Sequence, residues 1–137
     1  MERGSRLENE IFNVLRKKFP TLKKCGLFLH KEYPLFGASP DGMTENAVFE
    51  IKCPSSSSTL TNYLKDGRIN IKYQLQIQMQ MAMCNVKKGY FVVADPHVEQ
   101  NKKITMVNVE FCPDLFQEYL NKAVAYYEKY IYPHLIN

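Results

Sequence analysis

The sequence predicts an α/β fold, an α+β mixed sheet flanked by helices. Three observations lead to this fold class. Hydrophobic patterns change along the chain in the order helix, three strands, helices, two strands, helix. The 137 residues are 45% hydrophobic and 23% charged, the ordinary composition of a folded protein. A chain of this length buries about 68% of its unfolded surface, so we expect one domain over residues 1–137.

The first elements are predicted from hydrophobic spacing. Residues 5–19 predict an amphipathic helix, because apolar residues recur at steps of three and four, basic residues fill the last turn and Pro20 follows. Residues 27–33 predict a strand, because apolar and polar residues roughly alternate there. A bend and a second strand should follow, since three turn-forming residues come next: Gly37, Pro40 and Gly42.

The middle of the chain predicts a buried strand and a long helix. The third strand is the apolar run Ala47–Cys53, which Pro54 and four serines end. A short helical stretch is expected around residues 60–65, and Asp66-Gly67 marks a turn after it. The long helix should run from about residue 71 to residue 84.

Two strands and a helix complete the pattern. Gly89–Ala94 is an apolar run, and Ile104–Phe111 alternates after a polar loop over residues 99–103. The last helix opens with Pro113-Asp114, a favourable first-turn pair, and Pro133 should end it.

The lack of a membrane span or signal peptide, together with the cysteine spacing, disfavours several classes of protein. No run approaches the ~20 apolar residues of a membrane span, and the N-terminus lacks the apolar stretch of a signal peptide. We therefore expect a soluble, intracellular protein, with nuclear, cytoplasmic and viral origins all open. The four cysteines form no C-x-x-C pair, which disfavours zinc and iron–sulfur sites. Buried thiols are favoured over a disulfide framework.

The charge distribution points to an anionic partner. The net charge is +4, and residues 1–72 hold 12 basic and 8 acidic side chains, whereas residues 73–137 hold 6 of each. All of the excess positive charge therefore lies in the first half of the chain.

Two charged residues in the third strand carry the clearest chemical signal. Glu50 and Lys52 are two residues apart, so they project from one face of the strand. Asp41 lies nine residues before Glu50, and a turn over residues 44–46 would pair the two strands and bring both carboxylates together. An exposed Glu–Lys ion pair and an ordinary turn aspartate are the alternative interpretations.

Two carboxylates beside an ammonium group favour metal-assisted phosphodiester chemistry. Hard oxygen ligands suit Mg²⁺ or Mn²⁺, which polarise a phosphate and generate hydroxide from water. The lysine would then stabilise the negative charge that develops in the transition state.

The pattern P-D-x(n)-E-x-K is that of the PD-(D/E)XK nuclease superfamily, and the sequence resembles its YqaJ-type viral recombinase, or lambda exonuclease, family. The resemblance spans nearly the whole chain in four blocks: Arg3–Glu8, which fits G-x-x-x-E; Phe36–Gly42 with Phe49–Pro54, which hold P-D and E-x-K; Lys72–Met81, which fits Y-x-x-Q-x-Q-x-x-M; and Tyr90–Pro96.

The resemblance implies a role for each matching residue. Asp41 and Glu50 would bind Mg²⁺, with Mn²⁺ as a substitute. Ile51 would add its backbone carbonyl to the metal site, and Glu8 would complete an outer acidic cluster. Lys52 would position or activate the attacking water.

A polar stripe on the long helix is the remaining part of the predicted site. Tyr73, Gln76 and Gln80 lie at i, i+3 and i+7, on one face of a helix otherwise rich in apolar residues. Gln76 is favoured as a catalytic residue that orients the lysine, water or phosphate, with Tyr73 and Gln80 in support. A hydrogen-bonded core network or a solvated face is the alternative. Gln74 and Gln78 lie on another face.

The resemblance implies an exonuclease that degrades linear double-stranded DNA, 5′ to 3′, in recombination or DNA processing. A structure-specific endonuclease and a non-catalytic nucleic-acid-binding module are the alternatives. A single-strand annealing protein and a ring-shaped homo-oligomer are the partners that the family suggests. Five basic residues flank the site in sequence and are predicted to contact DNA: Arg3, Arg6, Lys65, Arg68 and Lys72.

The sequence departs from the family pattern at its start. Family members usually carry, before G-x-x-x-E, a segment with an arginine and a T-x-S motif that helps hold the DNA end and its 5′-phosphate. The 137 residues begin after that point. We therefore expect either a longer natural chain or end recognition supplied from elsewhere, for instance by another subunit.

Overall fold

A computed structural model describes residues 2–24, 40–126 and 128–129, with side chains from Arg6 onward. The elements in chain order are α1 (Glu2–Lys18), β1 (Lys23–Lys24), β2 (Gly42–Met43), β3 (Ala47–Lys52), α2 (Ser57–Tyr63), β4 (Leu64–Lys65), β5 (Arg68–Ile69), α3 (Ile71–Met83), β6 (Lys88–Ala94), α4 (Val98–Asn101), β7 (Ile104–Glu110) and α5 (Pro113–Tyr126). In these residues, no helix is both long enough and apolar enough to span a bilayer.

Five strands form one mixed sheet in the order β1-β2-β3-β6-β7. β3 and β6 run parallel, and the other neighbours are antiparallel. β4 and β5 form a separate hairpin, whose turn residues Asp66 and Gly67 both have positive φ, at 54° and 75°. The prediction of an α/β fold with a mixed sheet flanked by helices is confirmed.

The core lies on both faces of the sheet. On one face, α1 packs Leu7, Ile11 and Phe12 against Phe49 and Ile51 of β3. On the other face, α3 packs against the alternate residues of the central strands, a cluster that includes Val48, Ile77, Met81, Phe91 and Val93. Because β3 is covered on both faces, the charged residues at its end are largely withdrawn from water.

Several predicted boundaries shift for local reasons. The helix expected around residues 60–65 occupies Ser57–Tyr63 instead, because the Ser56 hydroxyl accepts a hydrogen bond from the Thr59 amide and caps it earlier. The single helical turn α4 (Val98–Asn101) overlaps the loop predicted over residues 99–103. The strand predicted over residues 27–33 and the helix end near Pro133 lie outside the described residues.

The prediction of buried thiols is wrong in part. Cys53, Cys84 and Cys112 carry no disulfide, but Cys112 is exposed and the other two are half-buried. Cys112 lies in the connection between β7 and α5, where its backbone amide is held by a partner from α3.

That partner is Gln78, which is 2% exposed and ties α3 to the start of α5. Its amide donates to the Glu110 carbonyl at 2.9 Å and accepts from the Cys112 amide at 2.8 Å. Gln78→Leu should lower the free energy of unfolding by about 1–3 kcal/mol, because two hydrogen bonds from a buried side chain to the backbone of Glu110 and Cys112 are lost. Urea denaturation measures the loss. Gln76→Leu is the matched control, because the Gln76 side chain makes no hydrogen bond within the described part of the chain; an equal loss in both variants would contradict the assignment.

Candidate active site

The hairpin of β2 and β3 brings Asp41 to the end of β3. Gly42 pairs with Phe49 in the antiparallel register, and the Thr44 amide donates to the Ala47 carbonyl at 2.9 Å to close the turn. The Asp41 amide donates to the Phe49 carbonyl at 3.0 Å. The side chain of Asp41 then accepts a hydrogen bond of 2.6 Å from the Ile51 amide. The carboxyl of Asp41 is thus fixed next to Glu50, as the spacing predicts.

Gly42 is required for this arrangement because α1 crosses the hairpin closely. A Cβ atom at residue 42 would lie 2.7 Å from the Phe12 ring and 3.0 Å from Leu22. Any larger residue would force the Phe12 ring of α1 to shift from its place against β2. Packing against α1 therefore explains why glycine follows the aspartate in the P-D-G sequence.

Glu50 and Lys52 form a partly buried ion pair. Glu50 Oε1 lies 3.3 Å from Lys52 Nζ, and the two side chains are 14% and 23% exposed. The second carboxylate oxygen of Glu50 accepts a hydrogen bond of 2.7 Å from Gln80 Nε2. Both oxygens of this carboxylate therefore have partners, which offsets the cost of withdrawing it from water.

Two tyrosine rings flank the ammonium group of Lys52. Its Nζ lies 5.1 Å from the ring centre of Tyr73 and 5.9 Å from that of Tyr63. The rings are 5.1 Å apart, and Tyr73 stacks on Phe91 behind it. At these distances the rings attract the cation and restrict its movement. Tyr63 was not predicted, because a tyrosine at the end of a short helix shows no periodic signal.

The glutamine of the α3 polar stripe that reaches the site is not the one that the sequence favours. Gln80, not the favoured Gln76, contacts Glu50. The two lie four residues apart on one face, and the crossing of α3 over β3 brings the later one to the carboxylate. Gln80 is 9% exposed, and its Oε1 is buried without a partner among the described atoms. Gln76 is half-buried.

The carboxylates of the site repel one another. Burial, followed by the charge of Glu50, raises the pKa of Asp41 to about 7, and the hydrogen bond from the Ile51 amide opposes this rise. Burial also raises the pKa of Glu8, with a smaller contribution from Glu50, while Lys24 and Lys52 lower it. The carboxylates of the site thus carry more negative charge than Lys24 and Lys52 neutralise.

This donor set fits a hard divalent cation. Asp41, Glu50 and the backbone carbonyl of Ile51 would hold it, because oxygen donors with excess negative charge suit Mg²⁺. Across the described ranges, no three His, Cys, Asp or Glu side chains are close enough to hold a metal ion by themselves. Glu8, which interacts electrostatically with Glu50, would contribute charge at longer range, and water or a phosphate would complete the coordination, as is usual for Mg²⁺.

The predicted DNA contacts lie in different places. Lys65 and Arg68 are exposed on the β4–β5 hairpin, beside a groove of about 420 Å³ that reaches the first residue of α3. Lys72 is exposed in the first turn of α3, with its Nζ 5.6 Å from the Tyr73 ring centre. Arg6 is on α1 and pairs with Glu99 at 3.2 Å. The side chain of Arg3 lies outside the described residues.

The chain matches a known family and known structures. The YqaJ-like viral recombinase domain matches residues 1–87. An alkaline exonuclease from Laribacter hongkongensis, also solved in complex with dAMP, is similar with a TM-score of 0.81 and 27% identity over 94% of this chain and 67% of that one. A phage-related exonuclease from Haemophilus somnus 129PT shares the fold, with a TM-score of 0.67 and 17% identity over 95% and 71%. No curated protein sequence matches significantly.

Proposed function

The chain belongs to the YqaJ-like viral recombinase domain family, and we propose that it is a Mg²⁺-dependent deoxyribonuclease that degrades linear double-stranded DNA. The observation that carries the proposal is the group formed by Asp41, Glu50 and Lys52 at the end of β3. The similarity to an alkaline exonuclease supports an exonuclease rather than another activity. We extend the proposal to 5′-to-3′ digestion in recombination, with an annealing protein as partner and several copies assembled around the DNA.

In this mechanism each residue of the site has a separate task. Asp41, Glu50 and the Ile51 carbonyl would hold the cation, which when bound would polarise the phosphate and lower the pKa of a bound water. The Lys52 ammonium orients the attacking water and stabilises the negative charge that develops on the phosphoryl oxygens. The attacking water gives up a proton to solvent as its oxygen bonds to phosphorus, the phosphorus–oxygen ester bond on the opposite side breaks, and the leaving oxygen takes a proton from solvent.

Three DNA forms test the activity. Linear, nicked and covalently closed duplexes are incubated with the protein and Mg²⁺, with EDTA as the control. We expect loss of the linear form only. Cutting of the closed circle would instead support a structure-specific endonuclease, and binding without any cleavage would support a non-catalytic module.

DNA binding should depend on salt and not on base sequence, because the proposed contacts are with phosphates. With Ca²⁺ in place of Mg²⁺ to slow cleavage, log affinity should fall with log salt at a slope of about 0.9 for each phosphate contacted, for a total of a few phosphates. Lys65→Gln with Arg68→Gln should reduce the slope by up to about 2. Fluorescence anisotropy across a salt series measures it; a flat salt dependence would contradict phosphate binding.

A further inference from the structure

A cluster of five cations lies outside the site and the predicted DNA contacts. It occupies the end of α1 and the edge strand β1, and we call it the α1–β1 patch: Arg16, Lys17, Lys18, Lys23 and Lys24. All five side chains are exposed. Residues 11–24 contain these five basic residues and no acidic residue.

Helix stability explains only part of this cluster. Cations in the last turn of a helix interact favourably with its dipole, which accounts for the three basic residues at the end of α1. Lys23 and Lys24 lie beyond that helix, on a strand, where the dipole effect has faded. Five like charges within nine residues repel one another, so their concentration indicates an anionic partner.

The sheet places Lys24, at one edge of the patch, beside the carboxylates. Lys24 pairs with Gly42 across the β1–β2 ladder, and Gly42 pairs with Phe49 across the next one. Asp41 precedes Gly42, and Glu50 follows Phe49. Lys24 is thus two strands away from Glu50 in the same sheet. Lys24 is also close enough to Glu8 to lower the pKa of that carboxyl.

The DNA contacts predicted on the β4–β5 hairpin lie on the Lys52 side of the site. Lys52 lies against the ring of Tyr63, whose carbonyl accepts a hydrogen bond of 3.0 Å from the Asn70 amide. Tyr63 leads directly into β4, where Lys65 is exposed. The order across the site is therefore Lys24, carboxylates, Lys52, hairpin.

Part of the patch is held in place. Arg16 donates to the Leu22 carbonyl at 3.2 Å, and its guanidinium lies 4.9 Å from the centre of the Phe12 ring. Lys24 binds the Asn9 side chain and faces the same ring. Lys18 Nζ lies 5.7 Å from the ring centre of Phe19, and Lys17 and Lys23 complete the exposed cluster.

We propose that the α1–β1 patch binds the sugar–phosphate backbone of the substrate DNA, on the side of the carboxylates opposite the β4–β5 hairpin. The inference rests on the proposed nuclease function. The DNA is then held by cations on both sides of the bond to be cleaved. Because the contacts are with phosphates, the patch adds affinity and orientation without sequence preference.

A triple variant tests the patch: Lys17→Gln, Lys18→Gln and Lys23→Gln. The matched control removes three exposed lysines elsewhere: Lys87→Gln, Lys88→Gln and Lys122→Gln. Lys88 pairs with Ala47, at the other end of β3 from Lys52, and Lys122 is on α5. Both variants lose the same charge, so a difference between them reports position and not net charge.

We expect the patch variant to bind duplex DNA in Ca²⁺ roughly ten- to hundredfold more weakly at 0.1 M salt, with the salt slope reduced by about 2–3. In Mg²⁺, KM should rise and kcat should stay within about twofold, since the variant leaves the groups that act on the phosphate intact. The control variant should bind within about twofold of wild type. Thermal melting checks that both variants are folded.

The outcomes separate this inference from the proposed function. If wild type and the patch variant bind DNA with equal affinity and equal slope, or if the control variant loses as much affinity as the patch variant, the patch assignment is overturned while the nuclease activity stands. If the patch variant binds RNA or an acidic polypeptide more weakly than wild type does but binds DNA equally well, the assignment of DNA as the ligand of the patch is also overturned. Wild-type protein that neither binds nor cleaves DNA would overturn both.

Discussion

Replacing Lys52 with alanine should reduce DNA cleavage by roughly a thousandfold and leave duplex affinity in Ca²⁺ within about threefold of wild type. The proposed role of the ammonium is to stabilise charge that is present only in the transition state, so its loss affects kcat and not binding. Glu50 retains its hydrogen bond to Gln80 at 2.7 Å, so the carboxylate keeps one partner and its position in the variant.

Lys88→Ala is the control for this variant, because it removes an exposed lysine from the other end of the β3–β6 ladder. Single-turnover cleavage of a labelled duplex gives the rate, and anisotropy gives the affinity. Near-normal cleavage by Lys52→Ala would show that the proposed role of the lysine is wrong. A large loss of affinity with a small loss of rate would assign it to DNA binding instead.

Asp41→Asn should abolish cleavage and, without metal, stabilise the fold above neutral pH. The usual pKa of this carboxyl is 3.8, and the folded protein raises it to about 7. Between these values the folded chain keeps a proton that the unfolded chain has lost. Stability therefore falls as pH rises from about 4 to about 7 and stays low above that range. Asparagine keeps an acceptor for the Ile51 amide and removes the charge.

Thermal denaturation in EDTA from pH 4 to pH 8 measures this effect. The Tm of Asp41→Asn should equal that of wild type near pH 4 and exceed it by several degrees at pH 8. Asp114→Asn, at an exposed residue in the first turn of α5, is the control. A difference in Tm that does not vary with pH would show that the charge of Asp41 does not destabilise the folded protein. Calorimetry should also show that Mg²⁺ binding is lost in the variant.

Much of the fold follows from hydrophobic periodicity. α1, α3, α5, β3, β6 and β7 are long enough for their patterns to be read directly, and the spacing of Asp41 and Glu50 predicts their approach because a short hairpin joins them. The strands β4 and β5 have two residues each, which is too short for any period.

Tertiary packing determines the parts of the site that the sequence does not predict. Gln76 and Gln80 occupy equivalent positions on one helical face, and only the way α3 crosses β3 makes Gln80 the partner of Glu50. Tyr63 approaches Lys52 because the end of α2 lies near the end of β3. No hydrophobic or polar period in the sequence links these two residues. The α1–β1 patch is similar, since its relation to Asp41 depends on the pairing of β1 with β2.

The β2–β3 hairpin has a consequence for the order of folding. Its turn joins Asp41 to Glu50 locally, whereas Gln80 reaches Glu50 from 30 residues away. Closing the short loop loses less chain entropy, so we expect the two carboxylates to meet first, in a hairpin that water still screens. Their repulsion grows only when α3 docks and β6 adds in parallel. The ionised Asp41 should therefore accelerate unfolding and leave the folding rate nearly unchanged.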